Sequence, residues 1–168
     1  MKHNIIILLL LTLLLSGCGL YNLDGFVMPD NMEFIAVVES LDTPGKIVNY
    51  IEDNFTYQYH SFYLPSPYQL WLTKEGDCND FSTFGVFVAD YHGYPTYQIK
   101  IYFKGTLISH TIAVYREDKL SYSENYIYCY GYDSFREIVI DDMEYRPDWA
   151  LKSYKVYNYV GTLIEVGN

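Results

Sequence analysis

The sequence predicts one α+β domain in which helices pack on an antiparallel β-sheet. The chain has 168 residues and 50% hydrophobic content, which is enough for a single domain with a substantial core. Apolar residues recur at helical spacing before Gly93, whereas apolar and polar residues alternate as in strands after it. The 20 tyrosines suit strand surfaces that are half buried.

The charge of the chain excludes one class of partner. The formal net charge is -10, and the sequence contains no basic cluster. Such a surface repels polyanions, so we expect no nucleic-acid partner.

The first 17 residues have the pattern of an export signal. A short basic start is followed by an apolar run over residues 5–15, which is too short to span a bilayer comfortably. The run ends in Leu15-Ser16-Gly17-Cys18, which resembles the lipobox of bacterial lipoproteins. In those proteins the signal peptide is removed before a cysteine that carries acyl chains such as palmitate.

This resemblance implies three segments. Residues 1–17 would be a lipoprotein signal peptide, residues 18–40 a tether that begins at the lipidated Cys18, and residues 41–168 the folded domain. The lipid would hold the protein on the extracytoplasmic side of the bacterial cell membrane or of the outer membrane. An ordinary secretory signal or an uncleaved anchor is the alternative.

Two helices are predicted before the strands begin. The first runs from about Pro44 to Phe55 and the second from Cys78 to Tyr91, because apolar residues recur in each at helical spacing. Ser82, Gly85 and Ala89 follow Cys78 on one helical face. Their small side chains predict that a strand approaches this face closely.

The second half of the chain predicts a strand meander that the C-terminus extends. A short helix is expected over residues 134–139. The predicted strands are Thr96 to Phe103, Leu107 to Tyr115, Leu120 to Cys129, Tyr154 to Val160 and Thr162 to Val166.

Cys78, His110 and Asn125 have the residue types of a Cys-His-Asn triad. Cys78 lies in the first turn of its predicted helix, where unpaired N–H groups and the helix dipole favour a thiolate. A neighbouring imidazole can take the thiol proton, and a third polar group can hold the imidazole in the required tautomer. The three residues therefore predict a nucleophile, a base and an orienting group.

The third member of this triad depends on a hairpin register. If Glu117-Asp118 is a two-residue loop, Asn125 lies opposite His110, with Cβ atoms roughly 5 Å apart. A loop that differs by one residue places Glu124 or Tyr126 there instead. Glu124 is then the alternative orienting residue.

Structural interpretations of the same residues also exist. Cys78 and Cys129 could form a disulfide in an exported protein, and His110 could be a buried imidazole without a catalytic role. The segment with Asp141, Asp142 and Glu144 is interpreted as a solvated acidic turn, because it lacks the spacing of a known cation site. No metal site and no cofactor are therefore expected.

The run Gly76-Asp77-Cys78-Asn79-Asp80-Phe81-Ser82 on a helix, followed by His110 on a strand, resembles the transglutaminase-like cysteine-protease superfamily. The resemblance covers roughly residues 44–140. It implies a papain-like core whose nucleophile helix packs on an antiparallel sheet. Cys78 matches the nucleophile, His110 the base, and Asn125 the third member, which is usually Asp in the superfamily. Ile112 stands where a Trp is common.

The resemblance implies a cysteine hydrolase or acyltransferase that acts through a thioester on peptide or amide bonds. The substrate would be a peptide, a protein or an envelope amide, and we expect a monomer. A second donor to the oxyanion is needed, and Gln69 and Trp71 lie upstream with N–H groups. The alternative is a catalytically inactive lipoprotein that binds a peptide or a glycan in a tyrosine-lined groove.

Overall fold

The computed structural model describes residues 26–60 and 66–168. The described helices are α1 (Met32–Ser40), α2 (Pro44–Asn54), α3 (Pro67–Thr73), α4 (Cys78–Tyr91) and α5 (Phe135–Glu144). The described strands are β1 (Thr56–Tyr57), β2 (Glu75–Gly76), β3 (Thr96–Phe103), β4 (Ser109–Arg116), β5 (Leu120–Glu124), β6 (Ile127–Tyr132), β7 (Leu151–Asn158) and β8 (Leu163–Gly167). None of the helices in the two described ranges has both the length and the hydropathy needed to cross a bilayer.

Strands β3 to β8 form one antiparallel sheet in the order β6-β5-β4-β3-β7-β8. The short strands β1 and β2 pair in parallel immediately before α4. The predicted α+β class with an antiparallel sheet is confirmed.

Helix α4 begins at a reciprocal cap. Asp77 accepts a hydrogen bond from the Asn79 N–H at 2.8 Å, and Asp80 accepts one from the Asp77 N–H at 2.8 Å. Such a capping box satisfies donors that a helix start leaves unpaired. It therefore fixes the backbone on both sides of Cys78.

Strand β4 is packed on both faces. Ala113 and Tyr115 belong to a core cluster with α4, whereas Ile112 and Val114 belong to a second cluster. This second cluster also contains Ile138 and Val139 of α5. Alternate residues of a strand face opposite sides of the sheet, so β4 contacts α4 on one side and α5 on the other. The predicted close approach of a strand to α4 is confirmed at Gly85, whose nearest neighbours are Tyr115 and Ala113.

The folded domain begins before residue 41. Helix α1 lies in the segment that the sequence analysis assigned to the tether, but its Phe34 and Val38 are fully buried. The Phe26 ring also packs edge-on against Phe87 at 4.8 Å between centroids. Burial of these apolar side chains makes residues 26–40 part of the domain. The predicted signal peptide and Cys18 lie outside the described residues.

The predicted two-residue loop between β4 and β5 is wrong. Arg116 pairs with Leu120, so the loop has three residues, and its Glu117 carboxylate accepts hydrogen bonds from the Ser121 and Tyr128 hydroxyls. These bonds hold the longer loop against the neighbouring strands.

The predicted continuous strand from Leu120 to Cys129 is interrupted by a turn. Glu124 pairs with Ile127 across a two-residue loop, and Asn125 in that loop has a φ of 46°. Asparagine tolerates this left-handed conformation better than most residues. Asn125 is therefore a turn residue that does not lie opposite His110.

Candidate active site

Cys78 and His110 line the same cavity, which has a volume of about 210 Å³. Cys78 comes from the start of α4 and His110 from the start of β4. The other lining residues are Tyr57, Phe103, Ile108, Ser109, Asn125, Arg146 and Trp149.

Cys78 is a buried, free thiol. Cys129 is free as well, so the disulfide alternative is wrong. Burial, followed by the nearby Asp77 charge, raises the pKa of the Cys78 thiol to about 12. A hydrogen bond from the Thr111 backbone and the charge of Arg146 oppose this shift of the pKa. The resting form is therefore the thiol, although the helix start favours the thiolate.

Nε2 of His110 faces two carboxylates. It lies 3.5 Å from Oε1 of Glu124 and 3.8 Å from Oδ1 of Asp142. Burial, with a smaller contribution from Arg146, lowers the pKa of the His110 imidazole to about 3, so the resting ring is neutral. The position of the carboxylates leaves Nδ1 as the nitrogen that can accept a proton from a thiol.

Of the two predicted orienting residues, Glu124 is the one whose carboxylate lies beside the His110 ring. Asn125 lines the cavity, and its Nδ2 donates a hydrogen bond to Oε1 of Glu124 at 3.2 Å. The structure thus brings Glu124 to His110 and Asn125 to Glu124.

Asp142 and Arg146 were missed by the sequence analysis as parts of the site. Asp142 is fully buried, so the expectation of a solvated acidic turn is wrong for this residue. Nη1 of Arg146 lies 3.0 Å from Oδ2 of Asp142, and the same guanidinium is ion-paired with Glu124. Ile138 and Asp142 are four residues apart in α5 and so share one helical face, which was a usable signal for Asp142, whereas Arg146 lies after the end of the helix.

The two predicted oxyanion donors lie elsewhere. Gln69 and Trp71 are absent from the lining of the Cys78 cavity. The Trp71 ring packs on Phe34 in the core, and the backbone N–H of Gln69 donates to Oγ of Ser66 at 3.2 Å.

Tyr57 is a hydroxyl donor at the cavity that sequence reasoning did not identify. It lines the cavity, and burial, followed by the neighbouring Cys78 and Asp77, raises the pKa of its hydroxyl to about 12. The hydroxyl therefore stays protonated at neutral pH and can donate a hydrogen bond. It is one of 20 tyrosines, and its local sequence carries no distinguishing signal.

Two groups of side chains among the described residues are close enough to share a metal ion. The first consists of His60, Asp77 and Asp80, and the second of His110, Glu124 and Asp142. In the first group, Nε2 of His60 already lies 2.5 Å from Oδ2 of Asp80, and burial raises the pKa of Asp80 to about 6. In the second group, Arg146 already pairs with both carboxylates.

Comparison with solved structures identifies the fold. Legionella pneumophila LapG in an EGTA-treated form matches with a TM-score of 0.50 and 14% sequence identity over 77% of each chain. The calcium-bound form of the same protein gives a TM-score of 0.49 and 16% identity over 77% of each chain. No protein-family model and no curated protein match the sequence. At this level of identity the likeness concerns the fold alone, and the chain has a transglutaminase-like α+β fold.

Proposed function

We propose that the protein is a lipid-anchored cysteine hydrolase or acyltransferase that acts on peptide or amide bonds outside the cytoplasm. The observation that carries the proposal is the cavity that Cys78 and His110 share, with Nε2 of His110 3.5 Å from Oε1 of Glu124. A thiol, an imidazole and a carboxylate in this order are the minimum for nucleophilic acyl transfer.

In the proposed reaction the sulfur of Cys78 attacks the carbonyl carbon while the thiol proton passes to Nδ1 of His110. The tetrahedral intermediate collapses to a thioester, the C–N bond breaks, and the imidazolium returns the proton to the leaving amine. Water or a second amine then attacks the thioester and restores the thiol. Tyr57 is positioned at the cavity to donate a hydrogen bond to the oxyanion.

Glu124 is the orienting residue in this proposal. Its charge stabilises the imidazolium that forms during the reaction, which a neutral amide does less well. Asn125 acts on His110 through its hydrogen bond to Glu124. At rest the Cys78 thiol and the His110 imidazole are both neutral. The thiolate and the imidazolium form only when substrate has entered the cavity.

The anchoring part of the proposal depends on Cys18. Seven residues separate Cys18 from Phe26, the first residue of the described domain, so their span is at most about 30 Å. Phe26 packs on Phe87, near the end of α4 opposite to Cys78. A lipid on Cys18 would thus hold the domain close to the membrane, with the cavity at the far end of α4. Loss of acyl-chain labelling and of membrane association in Cys18→Ser is the expected result.

The experiment that tests the chemistry is alkylation of the purified full chain by iodoacetamide between pH 5 and 9, followed peptide by peptide with mass spectrometry. Cys129, which is half-buried, serves as an internal control thiol. We expect His110→Ala to slow the modification of Cys78 and to leave that of Cys129 unchanged. Modification of Cys78 that is slow and independent of His110 at every pH would overturn the proposal.

One observation favours a second candidate function. Burial raises the pKa of the Cys78 thiol and lowers that of the His110 imidazole, so the resting site lacks the thiolate that reactive cysteines usually hold. A separate cavity of about 530 Å³ is lined by Tyr94, Tyr128 and Tyr130 together with two acidic residues. An inactive lipoprotein that holds a peptide or a glycan in this cavity is therefore the alternative, and the alkylation result decides between the two.

A further inference from the structure

Helix α5 brings a second carboxylate to His110, in addition to Glu124. Asp142 is fully buried, and its Oδ1 lies 3.8 Å from Nε2 of His110. Neither Oδ1 of Asp142 nor Nε2 of His110 has a hydrogen-bond partner among the described residues. Buried polar atoms are usually paired, so two unpaired atoms that face each other indicate an interaction formed in another state of the site.

The charges around His110 are unbalanced once Asp142 is ionised. Arg146 is the cation that pairs with both Glu124 and Asp142. With both carboxylates ionised and the ring neutral, this buried cluster carries one net negative charge, which is costly. An imidazolium at His110 brings the cluster to neutrality.

We propose that Asp142 is a second positioning residue for His110, which acts together with Glu124 to fix the Nε2–H tautomer and to stabilise the imidazolium during thiol attack. Arg146 holds the two carboxylates in place: its Nη1 also donates to the Asp142 backbone carbonyl at 3.1 Å. The inference rests on the proposed function, because it assigns a role in the same reaction. It adds α5 to the elements that build the site.

The support that Asp142 gives to His110 should depend on pH. Burial raises the pKa of the Asp142 carboxyl to about 7, while Arg146 opposes the shift and Glu124 adds to it. The charged groups around Asp142 are His110 from β4, Glu124 from β5, Arg146 from the segment after α5, and Asp141 beside it, whose charge raises the pKa of Asp142 less than that of Glu124 does. Asp142 gains its charge near neutral pH, so support for the imidazolium should rise between about pH 6 and pH 8.

The test compares Asp142→Asn with Asp141→Asn in the full chain. Asp141 is the matched control, because it accepts hydrogen bonds from the Tyr122 and Tyr132 hydroxyls, each at 2.7 Å, and makes no contact with His110 among those described. The first readout is the ¹⁵N NMR spectrum of His110 at pH 7.5, which reports the tautomer. The second is the pH profile of Cys78 alkylation.

We expect the Nε2–H tautomer to dominate in the wild type and in Asp141→Asn, and to be mixed with the Nδ1–H tautomer in Asp142→Asn. Because a nearby opposite charge shifts a pKa by about one unit or more, alkylation at pH 8 should be about tenfold slower in Asp142→Asn. At pH 5.5, where Asp142 is already protonated in the wild type, the two rates should converge. A folded Asp142→Asn protein with wild-type tautomer and wild-type profile would overturn the inference.

The outcomes separate this inference from the proposed function. If His110→Ala does not slow alkylation of Cys78, the proposed function fails. The effect of Asp142 on the tautomer of His110 is measured by NMR and does not depend on activity. If Asp142→Asn does not fold, the wild type decides, because its His110 ¹⁵N signals must change with a midpoint near pH 7 as Asp142 ionises. Signals that stay constant between pH 6 and pH 8 would then overturn the inference.

Discussion

Replacement of Gly85 by alanine tests how closely α4, the helix that carries Cys78, must approach β4. A Cβ at this position would lie 2.4 Å from the Tyr115 hydroxyl oxygen, 3.4 Å from Cβ of Ala113 and 3.6 Å from Cζ of Tyr115. Only the first distance is shorter than a normal contact. Tyr115 is fully buried and shares a hydrogen bond with Oγ of Ser123 at 3.1 Å. Its hydroxyl therefore cannot move away from a new Cβ without displacing other core atoms.

The expected cost follows from two opposing effects. Overpacking in a close-packed core costs about 1–3 kcal/mol, whereas alanine in place of glycine stabilises a helix by about 1 kcal/mol. We therefore expect Gly85→Ala to lower the free energy of unfolding by about 0–2 kcal/mol. In a Tyr115→Phe background the clash is absent, and the same substitution should be neutral or stabilising by up to about 1 kcal/mol.

The assay is a double-mutant cycle measured by urea unfolding of the full chain. Tyr115→Phe alone loses the hydrogen bond to Ser123, which costs about 1 kcal/mol, and this term cancels in the cycle. The coupling free energy between positions 85 and 115 should be about 2 kcal/mol. A coupling below about 0.5 kcal/mol would mean that the two residues do not limit the distance between α4 and β4.

Two further predictions concern the site. Tyr57→Phe should reduce the rate of acylation by p-nitrophenyl acetate by about a hundredfold without a change in unfolding free energy, because one oxyanion donor is lost; a rate within threefold of the wild type would remove Tyr57 from the proposed mechanism. The second concerns Asp142, whose folded pKa of about 7 lies above the unfolded value of about 3.9. The folded state therefore holds an extra proton between about pH 4 and pH 7, and this contribution to stability is lost as the pH rises through that window. The unfolding free energy of Asp142→Asn relative to the wild type should accordingly rise from pH 4.5 to pH 7.5, and a constant difference would contradict the shifted pKa. The opposite contribution of His110, whose folded pKa is lowered, is present in both proteins and largely cancels.

The elements with strong local signals were predictable from the sequence. Helix α4 has the predicted bounds Cys78–Tyr91, and strand β3 has the predicted bounds Thr96–Phe103. Apolar periodicity, helix caps and the absence of proline act within a few residues, so one segment contains the information that determines its structure. By contrast, α1 has apolar residues whose burial depends on contacts with α4, and it was assigned to a tether.

The sequence left open the choice between Asn125 and Glu124 as the residue beside His110, because that choice depends on the length of one loop. Glu117 is held by hydroxyls of Ser121 and Tyr128, which lie on two following strands, and these contacts select a three-residue loop. A register change of one residue turns every side chain of a strand to the other face. Local turn preferences differ by too little to decide between a loop of two residues and a loop of three. The contacts of Glu117, which form only in the folded sheet, decide the loop length.

The position of β4 between two layers explains why the site draws on both of them. Thr111 faces α4, where its hydroxyl donates to Oδ1 of Asn79 at 2.6 Å, and its neighbour His110 turns toward Asp142 on the other side. Adjacent residues of one strand thus connect the helix that carries Cys78 with the helix that carries Asp142. The His110 imidazole is positioned by the layer that contains α5, and the Cys78 thiol by the layer that contains α4. Any change that shifts α5 relative to the sheet should therefore alter the distance and angle between thiol and imidazole without a contact to Cys78. A sequence motif of Cys, His and a following polar residue describes only α4 and the sheet. The electrostatics of the proposed base, His110, depend also on the layer that contains α5.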